Sequence, residues 1–243
     1  MRRFWDDRAR ENAYFFVDDR VDYRRPDVER FWERGEADLQ TLLDILGLQI
    51  GSTDTVVEIG CGVGRLTRGI ALRAARVIAI DVSEEMLSRA QENLEGRDNV
   101  ELIHGDGTSL TPIGDAIADA CVSHVVFQHL PRSSMVMGYV GEMGRVLRPG
   151  GWSGFQLSND PSIHRPTRPP VGDRLRSRLH RGPRGRGDPA WLGTAVELDE
   201  LESVARRSQM SVQRVRGRGT QFCLIALRRD VEATPMAPQA PRD

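Results

Sequence analysis

The sequence predicts an α/β fold, a doubly wound and mostly parallel sheet covered by helices, and three observations carry that prediction. Short apolar runs rich in β-branched residues, at 54–59, 76–81, 99–104 and from 119 onward, alternate with patterns of helical period. The first run passes through Val56, Val57, Glu58 and Ile59, breaks into Gly60, Gly62 and Gly64, and then opens into a helical pattern. The second ends in a carboxylate, Asp81, about twenty residues beyond the glycine turn, where a ribose hydroxyl would be met. A strand that breaks into glycines ahead of a helix is a ligand-binding turn. Glycine takes positive φ and leaves bare main chain for a ligand, and the helix start beyond it offers unpaired N–H groups.

At 243 residues and 27.2 kDa the chain suits one such domain with appendages. A net charge of −1 exerts no overall pull toward nucleic acid or a membrane surface. The sequence contains no lysine, which excludes Schiff-base and lysine-base chemistry. Cys61, Cys121 and Cys223 are scattered without a C-x-x-C pair, so neither a disulfide framework nor a zinc site is expected. With no signal-peptide pattern and no apolar run of eighteen residues, the expected location is cytoplasmic.

Residues 1–47 read as helical, with Pro26 dividing two helices. They hold most of the aromatic rings, Phe4, Trp5, Phe15, Phe16, Phe31 and Trp32 among them, and these rings need a surface to cover. Leu39, Leu42, Leu43 and Leu46 form an apolar stripe that stops at Gly47, a C-cap. After the glycine turn a helix is expected at about 64–74. Ser83 caps the next helix, with Glu84 and Glu85 in its first turn. Further on, Tyr139, Val140, Met143, Val146 and Leu147 bury one helical face. The turn Leu147-Arg148-Pro149-Gly150-Gly151 then leads into a strand at 152–157.

Residues 158–190 change character, with eight arginines between positions 165 and 186. They form either a solvated insertion or a substrate-side loop that attracts an anion such as a phosphate, a carboxylate or a carrier protein. The insertion has no aromatic residue for base stacking before Trp191, which argues against nucleic acid. A helix at 197–208 and strands at 211–215 and 221–227 complete the domain, and the proline- and alanine-rich 230–243 is expected to be disordered.

Two residues decide which ligand the turn suits. The dinucleotide pattern G-x-G-x-x-G asks for glycine where Arg65 stands. Glu58, at the end of a buried strand, would repel a pyrophosphate and attract a ligand bearing an ammonium and a sulfonium. The pattern E-x-G-x-G-x-G from Glu58 to Gly64, with the Leu-Arg-Pro-Gly-Gly turn, resembles the class I S-adenosylmethionine-dependent methyltransferase family, in its small-molecule branch. The resemblance covers 52–157 by motif and 195–228 by pattern. It implies a Rossmann-like seven-stranded sheet with an antiparallel last strand, a domain over 48–229, and residues 1–47 as a helical lid. It implies S-adenosyl-L-methionine as cofactor, met by Glu58, Gly60, Cys61, Gly62 and Gly64, with Asp81 and Val82 at the ribose. Asp106 and Gly107 would meet the adenine, and Ser123 and His124 the methionine part.

The chemistry implied is in-line attack of a substrate oxygen or nitrogen on a sulfonium methyl, which asks the protein mainly to align two reactants and exclude water. A hydroxyl acceptor would want a base, and His124 and His129 leave the strand end where one would stand. Their spacing of five does not favour a shared helical face, so no metal site is expected from them. In the family a His-Leu-Pro segment such as His129-Leu130-Pro131 often holds a structural histidine. The leading expectation is a methyltransferase of a small metabolite, with an anionic one among the options. An RNA methyltransferase and a binding module without turnover are the alternatives. A nicotinamide oxidoreductase is disfavoured by Arg65 and Glu58.

Overall fold

The computed structural model describes residues 1–164 and 188–231. The arginine-rich stretch at 165–187 and the tail at 232–243 lie outside the described residues, and with them the expectations of a substrate-side loop and of a disordered tail.

Seven strands form one sheet: β1 (Thr55–Ile59), β2 (Arg76–Asp81), β3 (Val100–His104), β4 (Ala118–Ser123), β5 (Leu147–Leu157), β6 (Met210–Arg216) and β7 (Cys223–Arg229). Their order is β3-β2-β1-β4-β5-β7-β6, with the first five parallel and β7 antiparallel to both its neighbours. This is the predicted fold class. Val56, Val57 and Ile59 are buried, as continuous apolar runs require when helices cover both faces of a parallel sheet.

Helices follow the sequence pattern closely where caps are strong. Helix α1 (Arg2–Val17) breaks at Asn12, whose φ and ψ of −167° and 90° are extended. The Asn12 Nδ2 donates to Tyr23 O (2.7 Å), and its Oδ1 accepts from Phe15 N (3.2 Å), so the residue ends one helix and caps the next. Helix α2 (Val28–Leu46) starts at Asp27, whose carboxylate accepts from Arg30 N (3.1 Å). It stops at Gly47 with φ 67°. Its stripe Leu39, Leu42, Leu43 and Leu46 packs on one sheet face with Val56, Val77 and Trp152. Helix α4 (Glu84–Asn93) begins at Ser83, whose hydroxyl accepts from Met86 N (3.1 Å) as expected. On the other face α5 (Ser133–Val146) packs Val140, Met143 and Val146 in the same core as Phe127 and Phe155. A short α6 (Pro189–Leu192) precedes α7 (Leu198–Arg207), which joins that core through Leu201 and Ala205.

Three details depart from the sequence reading. Helix α3 covers only Thr67–Ala71 rather than 64–74, because Gly64 sits at φ 88° and cannot be a helical residue. The connection from β3 to β4 carries no helix, so the regular alternation is interrupted. Leu110 and Ile113 instead tuck into the core from a loop. Strand β5 begins at Leu147, paired with Ala118, before the Pro-Gly-Gly turn, and its ladder resumes at Trp152 opposite Ala120. The register shift is taken up through Gly150 at φ 80°.

The chain leaves β1 for β2 on one side and returns through β4 on the other, so the C-terminal ends of β1 and β4 border the switch point where open α/β sheets bind ligands. Since Leu39 is fully buried between sheet and α3, Leu39→Ala is expected to lower stability by about 2–5 kcal/mol, read as a shifted urea midpoint with unchanged slope.

Candidate functional site

The cavity at this switch point is built on the turn after β1. Gly60 and Gly62 take φ of 76° and 56°. A Cβ at Gly60 would lie 2.4 Å from Val126 Cγ2, and one at Gly62 would lie 3.1 Å from Val17 Cγ2. Both positions therefore need glycine for conformation, and Gly60 needs it for space as well. The turn is anchored beneath by Gly60 N and Cys61 N, which donate to Ile80 O (2.8 and 3.2 Å).

Glu58 faces the cavity from the centre of the sheet. Burial pushes its carboxyl up to about 7. The Thr67 hydroxyl, donating to Oε2 at 2.6 Å, and nearby Arg65 act in the opposite sense. Asp81 lies across the turn. Its Oδ2 accepts from Gly62 N (2.8 Å) and its Oδ1 from Ser83 N (2.9 Å). Those bonds aim the carboxylate along the cavity wall, and each oxygen keeps a second lone pair for a hydroxyl. Burial raises this carboxyl too.

Of the sequence candidates, Glu58, Gly60, Cys61, Gly62, Asp81, Val82, Gly107, His124 and His129 line one cavity. Three of the sequence candidates do not. Gly64 faces Leu94, where a Cβ would come within 2.9 Å of Cδ1. The Ser123 hydroxyl is buried and donates to Ile59 O (2.9 Å), locking β4 to β1 behind the wall. Asp106 is engaged in its own turn, accepting from Thr108 N (2.7 Å), Ser109 N (2.8 Å) and Ser109 Oγ (3.0 Å), while Gly105 and Gly107 on either side reach the cavity.

The two histidines differ. His129 Nδ1 meets Trp191 O (3.1 Å) and its Nε2 meets Gln128 Nε2 (3.1 Å). The Gln128 amide is oriented by Gln156, whose Nε2 donates to Gln128 Oε1 (2.9 Å). Gln128 is thus the donor to Nε2, and the ring proton sits on Nδ1. Trp5 and Trp191 pack on the same ring, so His129 ties α6 to the exit of β4. His124 is half-buried, and its Nδ1 is buried without a partner. Burial pushes both rings down to about 4.

The sequence reading missed several walls of the cavity. Trp5, Phe16 and Val17 of α1 close it from above, and Tyr139 of α5 from the side. The aromatic density of residues 1–47 was the available signal for the first group. Arg65 was read only as a missing glycine. In the fold its side chain is buried, and its Nη1 donates to Asp38 Oδ2 at 2.6 Å. Asp38 also accepts from Arg20, which pairs with Asp18 (2.6 Å), so a chain of alternating charges runs from the α1–α2 loop to the glycine turn.

Residues 57–155 match the family model described as a methyltransferase domain. Over that stretch, about two fifths of its length, the chain is similar to a methyltransferase domain. A ribosomal RNA small subunit methyltransferase A of Moorella thermoacetica is 52% identical over 58 residues, 24% of this chain and 20% of that protein. The malonyl-[acyl-carrier protein] O-methyltransferase of Pectobacterium atrosepticum is 32% identical over 138 residues, 56% of this chain and 50% of that protein. The matches therefore span half or less of these curated relatives. An S-adenosylmethionine dependent methyltransferase from Mesorhizobium loti shares the fold at a TM-score of 0.61 and 21% identity, over 79% of this chain and 98% of that one.

Class I methyltransferases use S-adenosyl-L-methionine, and the cavity fits that group. The turn has no room for a Cβ at Gly60 and little at Gly62, a carboxylate lies buried beneath it at Glu58, and Asp81 lies at the wall. Among the described residues no helix is long and apolar enough to cross a membrane.

Glu58 also makes stability depend on pH. The free carboxyl titrates near 4.5 and the buried one near 7, so its contribution is intact at acid pH and is lost as the pH rises through 7. In the ligand-free protein, Glu58→Gln should gain on the wild type between pH 5 and pH 8, by up to about 3 kcal/mol. Thermal or urea unfolding of the pair at both pH values reads this, and an unchanged gap would mean that Glu58 is solvated.

Proposed function

We propose that the protein is an S-adenosylmethionine-dependent methyltransferase acting on an oxygen or nitrogen of a small metabolite. The observation that carries the reading is the meeting of Glu58, the bare turn at Gly60 and Gly62, and Asp81 on one cavity wall. In this assignment Asp81 and Val82 hold the ribose, Gly107 meets the adenine beside the turn that Asp106 closes, and Glu58 holds the ammonium of the methionine part. The cofactor, when bound, supplies an already activated methyl group on its sulfonium. The protein's own work is then to align an acceptor and to keep water out.

The walls support a small acceptor. Trp5 and Phe16 close the cavity from α1, and Asp6 fastens that helix to the start of α4 by accepting from Ser83 Oγ at 2.7 Å. Residues 1–47 act as the lid in this reading. A histidine held near 4 is a weak base at neutral pH, so His124 suits an acceptor that is already ionised or an uncharged amine better than an alcohol. His129 is a positioning residue, since both its nitrogens are engaged. The short stretch of 52% identity to a ribosomal RNA methyltransferase favours RNA as the second reading, and steep salt dependence of substrate binding would mark it.

Calorimetric titration with S-adenosylmethionine, S-adenosylhomocysteine and NADH tests the cofactor. Binding of the two sulfur ligands alone is expected, weakened about tenfold or more by Asp81→Ala. No binding of either would sink the reading. If residues 1–47 form the lid, S-adenosylhomocysteine should also slow amide exchange across α1, and unchanged exchange there would count against a lid.

A further inference from the structure

Among the described residues, three that are not glycine take positive φ: Ala116, Val125 and Gln209. Of these only Val125 is β-branched, and only Val125 lines the cavity. At φ 58° the branched Cβ crowds the neighbouring main chain, a conformation that such residues avoid. It persists only where the surroundings enforce it, and a strained residue on a cavity wall points to a use.

One buried side chain behind the wall enforces it. Gln156 of β5 is fully buried and does not itself line the cavity. Its Oε1 accepts from Val125 N (3.0 Å). Its Nε2 donates to Gln128 Oε1 (2.9 Å), Leu157 O (3.1 Å) and Gln221 O (2.5 Å). The amide has only one sensible orientation, because a main-chain N–H must meet its oxygen and main-chain carbonyls must meet its nitrogen. Gln221 lies in the connection between β6 and β7, so a third part of the sheet anchors the same group. Without Gln156 the Val125 N–H would lose its acceptor, and the turn would be free to relax to negative φ.

The angle at Val125 has a consequence for the cavity. His124 and Val126 on either side of it are also on the wall. Val126 is pressed against the bare turn, with Cγ2 and Cγ1 lying 2.4 and 2.7 Å from the place of a Cβ on Gly60. The backbone at Val125 therefore sets the gap between the glycine turn and the exit of β4. Through Gln128 the same amide reaches His129, whose Nε2 is 3.1 Å from Gln128 Nε2. We infer that Gln156 is a positioning residue for methyl transfer: it holds Val125 in the left-handed turn, so that the wall at Val125 and Val126 is set before a ligand arrives. A relaxed wall would have to be strained again on binding, and that cost would come out of affinity. The inference rests on the cofactor reading above for its binding probe, and it adds a residue that touches no ligand.

The test is a double-mutant cycle read by calorimetric titration of S-adenosylhomocysteine into the whole chain. Its four members are the wild type, Gln156→Met, Val125→Gly and the double variant. Gln156→Met keeps the length of the side chain and removes both polar atoms, and it should weaken binding about tenfold. In the Val125→Gly background the same change should weaken binding less than about twofold, because glycine takes φ near 60° without being held. Equal weakening in both backgrounds, or none in the first, overturns the role and leaves the cofactor reading intact. Amide exchange supplies a second arm that needs neither variant nor ligand. The Val125 N–H of the wild type should exchange about a hundredfold or more slower than an unprotected amide, and unprotected exchange there overturns the hold. That arm decides the matter if Gln156→Met does not fold. It also decides if the wild type binds no S-adenosylhomocysteine, a result that overturns the cofactor reading by itself.

Discussion

A carboxylate buried in the middle of a sheet is the constraint on which the site depends. Glu58 sits in β1 with Ala79 of β2 on one side and Val122 of β4 on the other, and neither can solvate it. The Thr67 hydroxyl meets one oxygen, and the nearest cation, Arg65, is committed to Asp38. A charge so placed is tolerated only if it protonates or if a cationic ligand arrives, and a pKa near 7 leaves both open at neutral pH. The glycine turn follows from the same need, because Gly60 and Gly62 let a ligand come down onto the strand end that holds Glu58.

The N-terminal helices are joined to that turn by charge as well as by packing. Asp18, Arg20, Asp38 and Arg65 alternate in sign from the α1–α2 loop to the residue after Gly64. Burial would raise both carboxyls, yet the two arginines hold them below their ordinary range. Such buried pairs add little net stability, since desolvation offsets most of their attraction. Their effect here is to fix geometry. They set Val17 over Gly62 and hold Arg65 at the cavity wall. Sequence and fold meet at Arg65: one substitution in a glycine pattern is both an anchor of the N-terminal helices, through Asp38, and a wall of the cavity.

The legible parts of the chain were those in which a residue's role is set by its neighbours in sequence. Ser83 capping α4 and Gly47 ending α2 are local events, and both stand where the sequence placed them. Asp106 shows the opposite. The pattern around it fits a ligand contact, but the carboxylate is taken up by Thr108 and Ser109, because an aspartate two or three residues before free N–H groups closes a turn on itself. His129 is a third case. Its position at the exit of β4 suggested a base, while its partners Gln128, Gln156 and Trp191 come together only when β5 and α6 are in place.

Taken alone, the sequence determined the α/β class, most strand and helix positions, and the glycine turn with Glu58 and Asp81 at its ends. These rest on hydrophobic period, on caps and on the φ that glycine allows, all of which act within a few residues. Tertiary structure decided the protonation of Glu58, the roles of the two histidines, and the burial of Arg65 against Asp38. Those properties depend on desolvation and on partners more than 25 residues distant in the chain. A sequence pattern carries no measure of how much water a folded neighbour removes.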